Sequence, residues 1–99
     1  MLGIDTGVIE DTISDSFAII QADPNTRTIC DEIADLYFTP CASGTCELIF
    51  TSGSSATVLT VPNTVKWPDW FDPTSLETNR IYDIIVTDGI YGAVMSWAS

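Results

Sequence analysis

The alternation of apolar and polar positions predicts β-strands through most of the second half of the chain. Residues 80–87 carry the strongest signal, because large apolar side chains recur at every second position. The Asp88-Gly89 dipeptide that follows is typical of a hairpin turn, and residues 91–98 resume the alternation. Two earlier strands are predicted over residues 47–51 and 56–61, with a Ser/Gly-rich turn between them.

The first half of the chain gives a weaker pattern. Residues 17–22 form an apolar run that predicts a strand, and the Asp-Pro-Asn sequence at 23–25 ends it with turn chemistry. Residues 29–37 space their apolar side chains as a helix does, so one short helix is expected near this segment, with an irregular connection as the alternative. A strand that begins at Leu36 and stops at Pro40 fits the same residues.

Many short strands separated by turn signals about every ten residues indicate an all-β fold. We expect a small antiparallel β-sandwich or jelly-roll-like domain. A chain of 99 residues has the length of one domain. Within it, residues 1–46 are interpreted as N-terminal strands and a docking region, and residues 47–99 as a regular β module.

The charge balance excludes several classes of function. Three Lys and Arg residues against fourteen Asp and Glu residues give a net charge of −11. Such a chain cannot neutralise phosphates, so we expect no nucleic-acid partner, and it is repelled by an anionic membrane surface. No apolar run is long enough for a membrane-spanning helix. The absence of histidine removes the most common general base and metal ligand, so no catalytic residue, metal or cofactor is predicted.

Cysteines and carboxylates were the remaining candidates for a metal or redox site. An odd set of three cysteines indicates free thiols, although a disulfide between Cys41 and Cys46 across the intervening turn stays open. Residues 23–27 imitate the start of an EF-hand calcium loop. The likeness fails because Thr28 stands where the loop requires Gly, and Ala34 where it requires the bidentate Glu.

Aromatic side chains are concentrated in the last third of the chain. They fit either a platform for carbohydrate or a small core and subunit interface, and the second interpretation is favoured because Trp and Tyr are enriched at interfaces. Two nearby acids, Asp69 and Asp72, have the form of a glycosidase pair, but nothing selects them from the other acids, so they are interpreted as surface groups. The predicted core and interface aromatics are Trp67, Trp70, Phe71, Tyr82, Tyr91 and Trp97.

The order of these elements over residues 47–98 resembles the C-terminal β domains of bacteriophage and prophage virion structural proteins. Those domains include head-fibre and decoration proteins and tail-fibre tips. The matching features are an apolar strand with a Ser-rich turn and a Thr/Leu strand ending in Pro, then Val-Lys-Trp-Pro, Leu-Glu-Thr-Asn-Arg-Ile-Tyr-Asp-Ile, Val-Thr-Asp-Gly and a terminal Trp. They occupy residues 48–62, 65–68, 76–84, 86–89 and Trp97.

The resemblance implies a non-enzymatic structural protein of the virion surface, assembled in the host cytoplasm. It also implies a homotrimer that contacts the major capsid protein or other virion proteins. Capsid decoration, or a head fibre, is the expected role. The alternative is a receptor- or carbohydrate-binding module at a tail-fibre tip, with a host-surface glycan as ligand. A free carbohydrate-binding module of a host cell would instead place Trp67, Trp70 and Tyr91 in one exposed row.

Overall fold

The computed structural model describes residues 9–99, and all regular elements in this range are β-strands. The alternation of apolar and polar positions and the many β-branched residues favour strands, because such side chains pack well on a pleated surface. The strands are β1 (Ile9–Ile13), β2 (Phe17–Gln21), β3 (Thr26–Glu32), β4 (Asp35–Thr39), β5 (Thr45–Ser52), β6 (Val58–Thr60), β7 (Arg80–Thr87) and β8 (Tyr91–Ala98).

The chain winds as a coil between two sheets. The larger sheet has the strand order β1-β3-β5-β7-β8, and the smaller has the order β2-β4-β6. Pairings among the first six strands are parallel, because each turn of the coil returns the chain in the same direction. Strand β7 then runs antiparallel to β5 and pairs with β8 through a hairpin. The described chain is therefore three turns of parallel coil followed by an antiparallel hairpin.

The inner face of the larger sheet follows the strand register. Thr28, Leu48 and Ile84 lie side by side on neighbouring strands, and all three are buried. In the next row Phe50 and Tyr82 stack with ring centroids 5.4 Å apart. Burying such side chains stabilises the fold by about 1.5–3 kcal/mol each for the large apolar ones.

The smaller sheet contributes its inner face to the same core. Every second side chain of its strands is buried, as expected for strands with one face toward solvent. The two sheets thus share one continuous cluster of buried apolar side chains. The members from the smaller sheet are Ala18, Ile20, Leu36, Phe38 and Leu59.

The long connection over residues 61–79 pairs with the start of β8 at its free edge, through a single bridge between Lys66 and Tyr91. The backbone N–H of Lys66 donates to the carbonyl of Ile90 at 2.6 Å, and the N–H of Gly92 donates to the carbonyl of Lys66 at 2.9 Å. The Trp67 ring lies so close to Gly92 that a Cβ there would be 2.5 Å from the Trp67 Cε3 atom. This contact covers one end of the edge strand and protects that end from pairing with another chain.

The structure confirms the all-β class, whereas the sandwich or jelly-roll form is not confirmed. That form requires antiparallel neighbours, and within residues 9–99 only the β5–β7 and β7–β8 pairs are antiparallel. The short helix expected near residues 29–37 is wrong, because β3 extends to Glu32 and β4 begins at Asp35. Pairing with strands on both sides outweighs the helical spacing of a short segment that contains β-branched residues. The strand expected to stop at Pro40 is present as β4.

No helix among residues 9–99 has the length and apolar character needed to cross a membrane.

Candidate functional site

The outer face of the smaller sheet is unusually apolar. Phe17, Ile19, Tyr37 and Val58 point away from the core and are between 44% and 67% exposed. The rings of Phe17 and Tyr37 meet edge to face at 5.8 Å between centroids. Asp35 is the one charged side chain on the outer face of strands β2, β4 and β6. We call these five residues the apolar face.

Four of the six predicted aromatics form a connected cluster. Phe71 is buried at its centre, and its ring centroid lies 5.2 Å from that of Trp67, 5.7 Å from Trp70 and 5.9 Å from Tyr82. Tyr82 is buried and Trp67 is half-buried, whereas Trp70 is 61% exposed. The cluster therefore anchors one side of the core and presents a single indole ring to solvent.

The other two predicted aromatics lie elsewhere. Tyr91 and Trp97 project from the outer face of β8 on either side of the exposed Met95. Within residues 9–99, no ring contact joins them to the Phe71 cluster. Because Trp67 is half-buried against Gly92, the chain lacks the exposed row of Trp67, Trp70 and Tyr91 that a free carbohydrate-binding module would present.

A cleft of about 440 Å³ opens beside the exposed ring of Trp70. Its polar wall includes Asp72, Glu77, Arg80 and Ser96. The Arg80 Nε donates a hydrogen bond to Ser96 Oγ at 2.8 Å and lies 3.5 Å from Glu77 Oε1. The hydrogen bond to Ser96 orients the guanidinium along the wall. We call this site the Trp70 cleft, and an aromatic platform beside polar groups is an arrangement typical of a ligand site.

A charged network crosses the outer face of the larger sheet. Arg27 Nε donates to Glu47 Oε1 at 2.8 Å, and Arg27 Nη1 lies 3.4 Å from Glu10 Oε2. On the strand beyond Glu47 the network reaches Asp83, whose carboxyl shares a hydrogen bond with that of Glu47. Within residues 9–99 no cluster of three acidic or cysteine side chains could hold a metal ion.

Asp83 is the unusual member of this network. It is only 7% exposed, and among residues 9–99 its Oδ1 atom has no hydrogen-bond partner. Burial, and then the neighbouring Glu47 carboxylate, raise the pKa of Asp83 to about 7. The hydrogen bond from Asp83, together with the Arg27 guanidinium, lowers the pKa of Glu47. The pKa values of the two carboxyl groups are therefore shifted in opposite directions, and we call Glu47 and Asp83 the acid pair.

The acid pair was missed by reasoning from the sequence. Asp83 is one of fourteen acids, and no role was predicted for it. A signal was nevertheless present, because Asp83 interrupts an apolar run of β-branched residues. On an edge strand, an acid at this position would be exposed to solvent. Strand β7 instead lies between β5 and β8, whose side chains flank Asp83 on both sides.

The three cysteines are free thiols and all are buried. The N–H of Cys41 donates to the Cys46 sulfur at 3.4 Å. Burial raises the pKa of Cys30 and of Cys46 to about 11, so neither forms the reactive thiolate at neutral pH. The cysteines accordingly act as small apolar core residues.

Comparisons of the chain with protein-family models, with curated proteins and with solved structures found no match.

Proposed function

We propose that this chain is a non-enzymatic structural protein of a bacteriophage virion, displayed on the capsid surface as a small decoration or head-fibre protein. In this proposal three copies associate and contact the major capsid protein. The apolar face is the observation that carries the proposal, together with the resemblance over residues 47–98. A surface of this kind on a strongly acidic chain favours a role in assembly.

The physical argument rests on the apolar character and low charge of the apolar face in a strongly acidic chain. Exposed apolar patches mark places where proteins associate, because removing apolar surface from water lowers the free energy of the system. A net charge of −11 makes copies of the chain repel one another. On the apolar face Asp35 is the one charged side chain, so few like charges meet when copies associate through it. Three copies that turn this face toward a common axis would cover it with equivalent surfaces.

Light scattering of the purified chain at several concentrations tests the association. We expect a species of three chain masses. Tyr37→Glu places a charge in the apolar face and should give a monomer. Tyr91→Glu is the matched control, since it adds the same charge at an exposed tyrosine on the other sheet and should leave the mass unchanged. A monomeric wild-type chain, or dissociation by the control alone, would contradict the proposed interface.

Immunogold electron microscopy of phage particles, with antiserum raised against the purified chain, tests the location. Label on the heads supports capsid decoration. The second candidate, a receptor-binding module at a tail-fibre tip, is favoured by the Trp70 cleft and predicts label at the tail ends. Unlabelled particles would overturn both locations.

A further inference from the structure

We infer that the Trp70 cleft binds a neutral pyranose sugar, with the indole ring as the stacking platform and Arg80 and Asp72 as hydrogen-bonding groups. The inference goes beyond the proposed structural role and does not depend on where the chain sits in a virion. The sugar-binding inference is tested by measuring sugar binding, whereas the structural role is tested by measuring the mass of the assembly and its location. One can therefore fail without the other.

The stacking platform is rigid and accessible. Trp70 is 61% exposed, yet its ring is held edge to face by Phe71, which is only 6% exposed. An exposed indole ring that packs against a buried neighbour offers a flat apolar surface to a ligand. The apolar C–H face of a pyranose has the size and flatness to cover an indole ring, while its hydroxyl groups remain at the rim.

The polar wall is fixed in advance and still has unused hydrogen-bonding capacity. The Arg80 Nε is held by Ser96, but the two terminal amino groups of Arg80 donate no hydrogen bond to any residue between 9 and 99. Asp72 Oδ1 accepts from the N–H of Thr74 at 2.9 Å and from its hydroxyl at 2.6 Å. Within the same range, Asp72 Oδ2 accepts none. Guanidinium donors and a carboxylate acceptor together satisfy neighbouring sugar hydroxyls, which both donate and accept.

The charges of the cleft select among sugars. Asp72 and Glu77 contribute two carboxylates, and the single cation, Arg80, already lies 3.5 Å from Glu77. An anionic sugar would add a third negative charge to a cleft in a chain that is already strongly acidic. We therefore expect neutral hexoses and N-acetylhexosamines to bind, and uronic acids to be rejected.

Titration followed by two-dimensional NMR of the uniformly ¹⁵N-labelled chain tests the inference. The probes are the methyl glycosides of glucose, galactose, mannose and N-acetylglucosamine, with methyl glucuronide as the charged comparison. We expect at least one neutral probe to shift the indole N–H signal of Trp70 and the backbone signals of the cleft. No shift with any neutral probe at tens of millimolar would overturn the inference, as would tighter binding of the glucuronide.

Two tryptophan variants identify the site. Trp70→Ala should weaken binding by about tenfold or more, the equivalent of one aromatic contact. Trp97→Ala is the matched control, because this exposed tryptophan lies on β8 outside the cleft and its loss should leave the affinity unchanged. Trp70→Tyr should restore part of the affinity. Circular dichroism shows whether Trp70→Ala and Trp97→Ala are folded. If they are, equal affinity of the wild type and Trp70→Ala for the sugar would refute the assignment.

Discussion

Replacing Asp83 by asparagine should remove most of the pH dependence of the stability of the fold above pH 4. The wild-type carboxyl is buried, and burial together with the neighbouring Glu47 raises its pKa to about 7. Asparagine has nearly the same shape, carries no charge at any pH and can donate an amide hydrogen bond to Glu47. The substitution therefore removes the titration and keeps the packing.

The size of the effect follows from the pKa of Asp83. In the folded chain this pKa is raised from 3.8 to about 7, so the folded state keeps a proton that the unfolded state releases. The stabilisation is complete below pH 4 and is lost as the pH rises through 7. At about 1.4 kcal/mol for each pKa unit, the wild-type chain loses about 4 kcal/mol across this interval. The lowered pKa of Glu47 acts in the opposite direction, but only at the acid end of the range.

Urea unfolding monitored by tryptophan fluorescence measures this difference. At about pH 5 the wild type and Asp83→Asn should have similar unfolding free energies, and at about pH 8.5 the variant should be more stable by several kcal/mol. Asp69→Asn is the matched control, since it removes one negative charge from an exposed loop position and should follow the wild-type curve. A loss of about 4 kcal/mol is large against the 5–15 kcal/mol that stabilise a typical domain.

The reasoning would be refuted if Asp83→Asn showed the same dependence on pH as the wild type. It would also be refuted if the variant were less stable than the wild type at high pH, because the asparagine would then have removed an interaction that the ionised carboxylate makes. Carboxyl ¹³C NMR of the wild-type chain gives an independent check, with the Asp83 signal titrating near neutrality and the Glu47 signal below its ordinary range.

Three further predictions concern the core and the edge of the larger sheet. Gly92→Ala should lower the unfolding free energy by about 1–3 kcal/mol in denaturant titrations, because the new Cβ collides with the Trp67 ring. Thr57→Val should cost about 1–2 kcal/mol in the same assay, since the buried Thr57 hydroxyl donates to a backbone carbonyl that the valine cannot satisfy. In the native state Cys30 and Cys46 should react with a thiol reagent only as fast as the fold opens. Quenching the reaction at successive times and analysing the products by mass spectrometry measures this rate. Immediate modification of either would contradict their burial.

The C-terminal hairpin could be predicted from sequence because its determinants are local. The alternation over residues 80–87 and 91–98 matches β7 and β8, and the turn between them has positive φ angles at Asp88 and Gly89, as its sequence indicates. The direction of the earlier pairings could not be predicted, since a period of two is the same in parallel and antiparallel strands. Strand partners such as Ile9 and Thr26 are also distant in sequence, and no local signal joins them.

The surfaces were harder to predict than the strands. Residues 17–22 are apolar on both faces, so their pattern does not reveal that Phe17 and Ile19 face solvent. The concentration of aromatics did point to the region of the Trp70 cleft. Its polar wall could not be predicted, because Arg80 and Ser96 are brought together by the pairing of β7 with β8.

The late position of the hairpin in the chain has a consequence for synthesis on the ribosome. Strand β7 pairs with β5 along its whole length, so β5 keeps an open sheet edge until residues 80–87 have emerged. A nascent chain arrested before Arg80 should therefore stay sensitive to protease, while a chain extended beyond Ser99 by a linker should become resistant. Until then the parallel coil is exposed to pairing with neighbouring nascent chains. Strands β7 and β8 thus complete the protection of the strands translated before them, which couples folding of the coil to synthesis of the hairpin.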